Sequence, residues 1–343
     1  MHVGILTGGG DCPGLNAVLR AVVRRGTQAH AAEILGFRDG WRGVLDDDTM
    51  ELGTAAVTGI LQRGGTILGS SGADPIRATG GVDRVLTALR AHGLDGLIVV
   101  GGEGTLGAAA RLSGEHDVPV IGIPKTIDND LPGTDVTVGF HTAAQVATDA
   151  IDRLHSTAES HDRVILVEVM GRHAGWIAVY AGMAGGADVI LIPEQPFDLE
   201  EVCARIRHRH ISRTSFSIVV VAEGATPAPG TLVLPEPELD PNGFPKLGGL
   251  ATLLAPEIAR LTGYETRVTI LGHLQRGGSP VAFDRMLGTR FGIRAMDLAA
   301  AGGWGRMTSR RGQEILDVPL EEALGPRALV PLDLYRDAEV FFG

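Results

Sequence analysis

The chain is poor in cysteine, in aromatic residues and in lysine. Its 343 residues include two cysteines, Cys12 and Cys203, which are far apart and belong to no C-x-x-C pair. This pattern argues against a disulfide framework and favours a reducing compartment. Aromatic residues make up 4% of the chain and hydrophobic residues 44%. The composition therefore predicts a sizeable core of mainly aliphatic side chains.

Long apolar runs and an excess of positive charge are also absent. No stretch approaches the roughly 20 apolar residues of a membrane span. The first residues have a strand pattern, without the charged segment that opens a signal peptide. We therefore expect a cytoplasmic protein with no membrane partner. The formal net charge of −11 argues against nucleic acid as the main partner. An anionic substrate would need local clusters of basic side chains.

Two glycine-rich turns each follow a predicted strand and precede a predicted helix. The first, Gly8–Gly14, lies between a strand at 2–7 and a helix at about 15–30. The second, Gly101–Thr105, follows a strand at 95–100 and opens a helix that runs through residue 112. Such turns direct backbone N–H groups at phosphates, although a plain tight turn is the alternative for the first one. Neither turn is a G-x-G-x-x-G or Walker A sequence.

Acidic residues accompany these turns. Glu103 lies at the tip of the second turn, where a carboxylate would repel phosphate but could bind Mg²⁺ directly or through water. A third loop, Pro124-Lys-Thr-Ile-Asp-Asn-Asp130, follows a buried strand predicted at 118–123. Ligands bind at this end of strands in open parallel sheets, and two close acids cost free energy unless a cation offsets them. These acids and both turns predict a nucleotide–magnesium site.

Other segments are less specific. Trp41 lies in a glycine-containing loop, where it could stack on a flat ring or cap the core. His273 and Arg276 follow a strand predicted at 265–271, in a glycine-rich loop suited to gripping a phosphate. Residues 226–246 are rich in Pro and Gly, which predicts a surface loop or an edge hairpin and not a domain.

Taken together, the motifs resemble the phosphofructokinase family from Gly4 to about residue 325. They are T-G-G-G-D-C-P-G-L-N, G-G-E-G-T, T-I-D-N-D, M-G-R and G-H-L-Q-R-G-G-S-P, in the family's order. The resemblance implies an α/β fold of two Rossmann-like three-layer α/β/α lobes with a cleft between them. It assigns 1–139 plus about 275–325 to a phosphoryl-donor lobe, and 140–274 plus about 326–343 to a fructose 6-phosphate lobe. It also implies a homotetramer with shared active sites.

The resemblance further implies phosphoryl transfer from MgATP to the 1-hydroxyl of fructose 6-phosphate. Asp128 is similar to the family's catalytic base, Thr126 to the residue that hydrogen-bonds the sugar or phosphoryl group, and Arg172 to the residue that stabilises the transferring phosphoryl. Glu103 and Asp130 would hold Mg²⁺, with Glu103 in place of the more common Asp. The donor would meet Gly10, Trp41, Arg77, Gly102, Glu103, Gly104 and Thr105. The sugar phosphate would meet Thr126, Asp128, Met170, Gly171, Arg172, Glu223, His273 and Arg276, together with Arg163 and Arg267 of a neighbouring subunit.

Two positions disagree about the donor. Gly104 matches the ATP-using pattern, because a side chain there would crowd and repel the α-phosphate. Lys125 resembles the pyrophosphate-type P-K-T-I-D-N-D instead. We give Gly104 more weight and expect ATP, because an extra ammonium near phosphates is easier to tolerate than a blocked pocket. A pyrophosphate-dependent enzyme is the alternative.

Two other classes of protein are weaker alternatives. An inactive sugar-phosphate or nucleotide sensor would have no use for a base at Asp128. A lipid or NAD kinase could use similar loops, but it would not need the sugar-phosphate residues Arg163, His273 and Arg276.

Overall fold

The computed structural model describes residues 1–211, 216–232 and 248–342. It divides into two compact units, one of Met1–Thr142 with Arg276–Arg327 and the other of Ala143–Gln275 with Ala328–Gly343. The lobe boundaries expected near residues 139, 275 and 325 lie close to these divisions. Within the described ranges, no helix combines the length and the apolar character that crossing a membrane requires. Most of the Pro- and Gly-rich segment at 226–246 lies outside the described residues.

Strands and helices alternate along most of the chain, as the hydrophobic periodicity predicts. The strands are β1 (His2–Thr7), β2 (Glu33–Phe37), β3 (Thr49–Glu51), β4 (Gly96–Gly101), β5 (Val120–Thr126), β6 (Val138–Gly139), β7 (Val164–Val169), β8 (Val189–Leu191), β9 (Ser217–Ala222), β10 (Thr266–Ile270), β11 (Arg306–Arg311) and β12 (Glu314–Pro319). The helices are α1 (Leu15–Ala29), α2 (Trp41–Asp46), α3 (Gly81–Ala91), α4 (Glu103–His116), α5 (Phe140–Ser160), α6 (Trp176–Ala184), α7 (Leu199–Ile211), α8 (Leu250–Thr262), α9 (Ala282–Ala300) and α10 (Leu332–Glu339).

The first unit is built on a mostly parallel sheet. In the described part of the chain its strand order is β12-β11-β5-β4-β1-β2-β3, and β6 pairs with β5. Strands β1, β4 and β5 are parallel neighbours, so their carboxyl ends lie along one edge of the sheet. The chain leaves β1 for β2 on one side and returns through β4 on the other. This reversal is a topological switch point, where open α/β sheets bind ligands.

The second unit has a fully parallel sheet in the order β10-β7-β9-β8, counted over the described residues. Strands β7 and β9 are buried along their whole length, as expected for strands covered on both faces. Its core is formed largely by Val, Leu and Ile side chains. The α/β fold class predicted from the sequence is therefore confirmed.

Three local differences from the sequence prediction concern the first unit. Strand β5 continues to Thr126, so half of the loop predicted at 124–130 is strand. The short elements α2 and β3 were not predicted, because six and three residues are too few for a recognisable periodicity.

Candidate active site

The glycine-rich turn after β1 is held in place by Lys125. The Lys125 ammonium donates to the carbonyl oxygens of Gly8 at 2.9 Å and Gly10 at 2.5 Å. Lys125 is only 2% exposed, and its burial lowers the pKa of the ammonium. Ser70 and Ser71 also bond to Gly9, through its carbonyl oxygen and its N–H group. The turn is thus fixed from two sides before any ligand binds.

The turn after β4 presents the start of a helix. Gly102 is the N-cap of α4, and Glu103 is the first helical residue. No side chain of the described residues caps this helix start, so its first N–H groups are available to a ligand. Gly104 follows in the first turn, and a Cβ atom built on it would meet no atom within 4 Å. Thr105 is buried, and its side chain packs so closely on Gly101 that a Cβ there would approach it to 2.4 Å. Thr105 therefore supports the turn, while Glu103 and Gly104 are exposed.

The loop after β5 is shaped by Asn129. This residue has a left-handed φ of 53°, and its side-chain oxygen accepts the backbone N–H of Thr137 at 2.9 Å. The Thr137 hydroxyl in turn donates to the carbonyl of Thr126 at 2.6 Å. The Thr126 hydroxyl accepts the N–H of Asp128 at 3.1 Å. These bonds fix the backbone on which the half-buried Asp128 and the buried Asp130 are carried.

Asp130 lies in an electrostatically unusual position. Burial and the nearby Asp128 carboxylate raise its pKa from 3.8 to about 6, with a smaller contribution from Glu103. Arg327 acts in the opposite direction, with its Nε 3.7 Å from Asp130 Oδ2. The same guanidinium donates through Nη2 to Glu103 Oε2 at 2.7 Å. Two carboxylates from separate loops of the first unit thus converge on one cation.

This convergence bears on whether the residues suit Mg²⁺. Among the described residues, no group of three or more His, Cys, Asp or Glu side chains is arranged to hold a metal. Mg²⁺ commonly takes only one or two protein carboxylates and completes its shell with water and substrate phosphates. Glu103 and Asp130 supply such a pair of hard oxygen ligands, already drawn to a positive charge. The residues therefore fit the ion predicted from the sequence.

Two residues predicted to contact the donor have their side chains engaged by other parts of the protein. Trp41 is 1% exposed, and its indole N–H donates to the carbonyl of Thr105 at 3.2 Å. Its ring is part of the hydrophobic core and offers no face for stacking, so the stacking interpretation is wrong and the core-capping alternative holds. Arg77 has a largely exposed side chain and pairs with Asp74 at 3.3 Å.

Arg276 belongs to the first unit and lies against the turn after β1. Its Nη1 donates to the carbonyl of Asp11 at 3.2 Å. A Cβ on Gly10 would come within 2.6 Å of the same nitrogen. A side chain at position 10 would therefore displace the Arg276 guanidinium. The Arg276 guanidinium is close enough to the turn after β1 to contact a ligand that binds there.

In the second unit, the segments after β7 and β9 lie side by side. The N–H of Glu223 donates to Val169 at 2.9 Å, and that of Gly224 donates to Gly171 at 3.1 Å. A Cβ on Gly224 would lie 2.0 Å from the carbonyl oxygen of Arg172. The backbone packing thus brings Gly171 and Arg172 next to Glu223, three of the residues that the sequence predicts for the sugar pocket. Each of these residues follows the carboxyl end of a strand.

The segment after β10 joins the same edge of the second sheet. Gln275 is fully buried, and its side-chain oxygen accepts the N–H of Met170 at 3.3 Å. Glu168, near the end of β7, accepts the N–H groups of Gly249 at 2.6 Å and Ala251 at 2.8 Å at the start of α8. His273 lies in the 3₁₀ turn Gly272–Arg276 that follows β10 and is exposed.

Arg163 and Arg267, which were predicted to serve a neighbouring subunit, share one carboxylate. Glu265 accepts Arg163 Nη2 at 2.9 Å and also pairs with Arg267. These contacts lower the pKa of Glu265, most strongly through the Arg163 hydrogen bond. The two arginines therefore form one basic pair on the second unit, with Arg267 largely exposed.

Several supporting residues were missed by the sequence analysis. Asp284 is fully buried and accepts the N–H of Gly139 at 2.9 Å and that of Thr142 at 2.7 Å, which fixes the start of α5. The sequence does show an acid in the first turn of α9, but it does not show what that acid binds, because its partners lie more than 140 residues away along the chain. Arg327 was missed for the same reason, since it is 224 residues from Glu103.

These loops define an α/β protein whose candidate ligand groups follow the carboxyl ends of parallel strands. A family model for phosphofructokinase matches residues 2–299. The chain therefore belongs to the phosphofructokinase family. A solved pyrophosphate-dependent phosphofructokinase from Marinobacter aquaeolei has a similar fold, with a TM-score of 0.82 and 25% identity, over 100% of this chain and 92% of that one.

Curated relatives differ in their donor. A Streptomyces coelicolor pyrophosphate–fructose 6-phosphate 1-phosphotransferase is 56% identical to this chain, with full coverage of both. An ATP-dependent 6-phosphofructokinase from Mycobacterium leprae is 53% identical, again with full coverage of both. The chain is thus a phosphofructokinase enzyme, and overall similarity does not choose between the two donors.

Proposed function

We propose that the enzyme transfers a phosphoryl group from ATP to the 1-hydroxyl of fructose 6-phosphate, giving fructose 1,6-bisphosphate in the committed step of glycolysis. The observation that carries the choice of ATP is the space around Gly104. It lies in the first turn of α4, and its Cβ position is clear of other atoms to 4 Å. A donor longer than pyrophosphate needs such room beside its second phosphate. Helix N–H groups at the same turn favour an anion.

In this proposal Asp128 takes the proton from the sugar 1-hydroxyl as that oxygen attacks the terminal phosphorus. Thr126 orients the reacting oxygens, and its own position is set by Thr137. Phosphoryl transfer has a loose transition state, so positioning and positive charge contribute more than a strong base. Arg172 would stabilise the charge that develops on the transferring group. Mg²⁺, when bound, would supply positive charge that partly neutralises the donor phosphates.

Glu103 and Asp130 would hold that ion. Their oxygens are hard ligands, and Asp130 is buried enough that its ionised form gains from a cation. Arg163, Met170, Gly171, Glu223, Arg267, His273 and Arg276 would bind the sugar phosphate. The basic pair of Arg163 and Arg267 would come from a neighbouring subunit of a homotetramer, which light scattering after gel filtration can test.

The same proposal places the enzyme in the cytoplasm, without nucleic acid or membrane partners. Both cysteines are buried free thiols, and burial raises the pKa of Cys12 to about 12. Such a thiol is a poor nucleophile, in keeping with a packing role in a reducing compartment.

A pyrophosphate-dependent enzyme is the second candidate, favoured by Lys125 and by the name of the Streptomyces coelicolor relative. Steady-state rates with each donor distinguish the two. We expect robust turnover with ATP, and robust turnover with pyrophosphate but none with ATP would reject the proposal. A Gly104→Asp variant should lower kcat/KM for ATP at least about tenfold, since it places a carboxylate where phosphate binds.

The matched control is Gly114→Asp. Gly114 lies on the same helix, and its Cβ position is also clear of atoms to 4 Å. Gly114→Asp introduces the same charge away from the turn at the start of α4, and we expect its kcat/KM for ATP to be within about twofold of the wild type. Equal losses in both variants would mean that the charge, and not the space at position 104, limits ATP use.

A further inference from the structure

Arg327 lies where the proposed metal ion would bind. Its guanidinium contacts Glu103 Oε2 at 2.7 Å and approaches Asp130 Oδ2 to 3.7 Å. These are the two carboxylates that we assign to Mg²⁺. A guanidinium and a divalent ion repel each other, and both would be held by the same two carboxylates. The two cations therefore cannot occupy this position together in the observed side-chain arrangement.

We propose that Arg327 is an internal competitor for the magnesium position, which it occupies in the metal-free enzyme and leaves when the ion binds. This inference rests on the proposed function, because that proposal supplies the metal site. Arg327 keeps the two carboxylates from repelling each other before the ion arrives. It would thereby hold the site in one shape at a cost in metal affinity.

The burial of the three side chains makes the exchange feasible. The Arg327 side chain is 36% exposed and that of Glu103 is 59% exposed, so the guanidinium can turn into solvent. A half-exposed ion pair of this kind contributes little free energy, and the metal can displace it. Asp130 is the less exposed partner, at 12%, and stays in place to receive the ion. Arg327 is thus a weak competitor that lowers the affinity for the metal ion without preventing its binding.

The test is the affinity of the full-length protein for Mn²⁺ alone, measured by the loss of the free-ion signal in electron paramagnetic resonance. An Arg327→Gln variant should bind Mn²⁺ about 3- to 10-fold more tightly than the wild type, as expected for removal of a half-exposed competing cation. Arg327→Lys should give a smaller gain, because the ammonium retains the charge but not the two-sided contact.

Arg111→Gln is the matched control. Arg111 lies on α4 with Glu103, but it pairs with Glu115 at 3.0 Å and is similarly exposed. Arg111→Gln removes the same charge as Arg327→Gln, but from the helix that carries Glu103 and away from the two carboxylates, so its Mn²⁺ affinity should stay within about twofold of the wild type. Equal gains in both variants would overturn the proposal, because they would report net charge alone.

An unchanged or weaker Mn²⁺ affinity in Arg327→Gln would also overturn it, as would no binding by either protein. The measurement uses no substrate, so its result is separate from the donor assay. Phosphoryl transfer by the wild type together with unchanged Mn²⁺ affinity would reject only the role of Arg327. Tighter Mn²⁺ binding in the variant, without phosphoryl transfer by the wild type, would reject only the proposed reaction.

Discussion

Replacing Asp130 by Asn should make the metal-free protein more stable at neutral pH. The Asp130 carboxyl has a pKa of about 6 in the folded protein, against 3.8 as its ordinary value, because of burial and the neighbouring Asp128. Between these pH values the folded chain holds a proton that the unfolded chain has released. Stability is therefore lost as the pH rises from about 4 through 6, and the loss is complete above 6.

The size of this effect follows from the two pKa values. A difference of roughly 2 units corresponds to about 3 kcal/mol at pH 8. At pH 5 the unfolded chain is already ionised and the folded chain is not, so about half of the loss has occurred. Asn carries no charge at either pH. Asp130→Asn should thus increase the free energy of unfolding over the wild type by about 3 kcal/mol at pH 8 and by about half of that at pH 5.

The assay is urea unfolding of both proteins at pH 5 and pH 8, with EDTA present to remove metal. Comparison at each pH cancels the titration of all other groups, and the difference between the two pH values isolates Asp130. Asp128→Asn should make the unfolding free energy less dependent on pH than that of the wild type. It removes one of the charges that raise the pKa of Asp130. A stability gain that is equal at both pH values would refute the reasoning, since it would not arise from ionisation.

Three further outcomes are expected. Asp128→Asn should lower kcat by orders of magnitude and leave KM nearly unchanged, and near-full kcat would show that Asp128 is not the base. Lys125→Met should lower the free energy of unfolding in urea by about 2–4 kcal/mol, because the carbonyls of Gly8 and Gly10 lose a charged donor. An unchanged unfolding midpoint would show that water replaces the ammonium as the donor. Gly10→Ala should leave the melting temperature nearly unchanged but raise KM for fructose 6-phosphate, because the new methyl group displaces only the flexible end of Arg276. An unaltered KM would show that Arg276 does not bind fructose 6-phosphate.

The parts of the fold that could be predicted are those with a repeating local pattern. Strand β4 is a continuous apolar run that ends in glycine, and β7 is apolar except for Glu168. The long helices repeat their apolar positions every three or four residues. Strand ends then indicate the ligand edge of a parallel sheet, so Glu103 and Asp128 could be proposed as candidate site residues from the sequence alone. Short elements such as α2 carry too few residues for this reasoning.

Contacts between distant segments could not be predicted. The pairing of Arg327 with Glu103 depends on the path of the chain after β12, which no local pattern records. The same holds for Asp284 and its partners at the start of α5. Trp41 shows the reverse error, because a rare aromatic beside glycines suggested a ligand, whereas α2 buries its ring.

The structure also changes how the conflict between Gly104 and Lys125 can be understood. Lys125 donates to the carbonyls of Gly8 and Gly10, and its ammonium is buried by the turn that it holds. A lysine in this position fixes the backbone of the turn after β1, and under the proposed function it would act on the donor only through that turn. Gly104 acts separately, by leaving the first turn of α4 open. Under the proposed function, the two residues would control different properties: Lys125 the shape of the turn at the terminal phosphates, and Gly104 the space beyond it. On that proposal, a chain with both residues would hold the terminal phosphates and still admit a nucleotide.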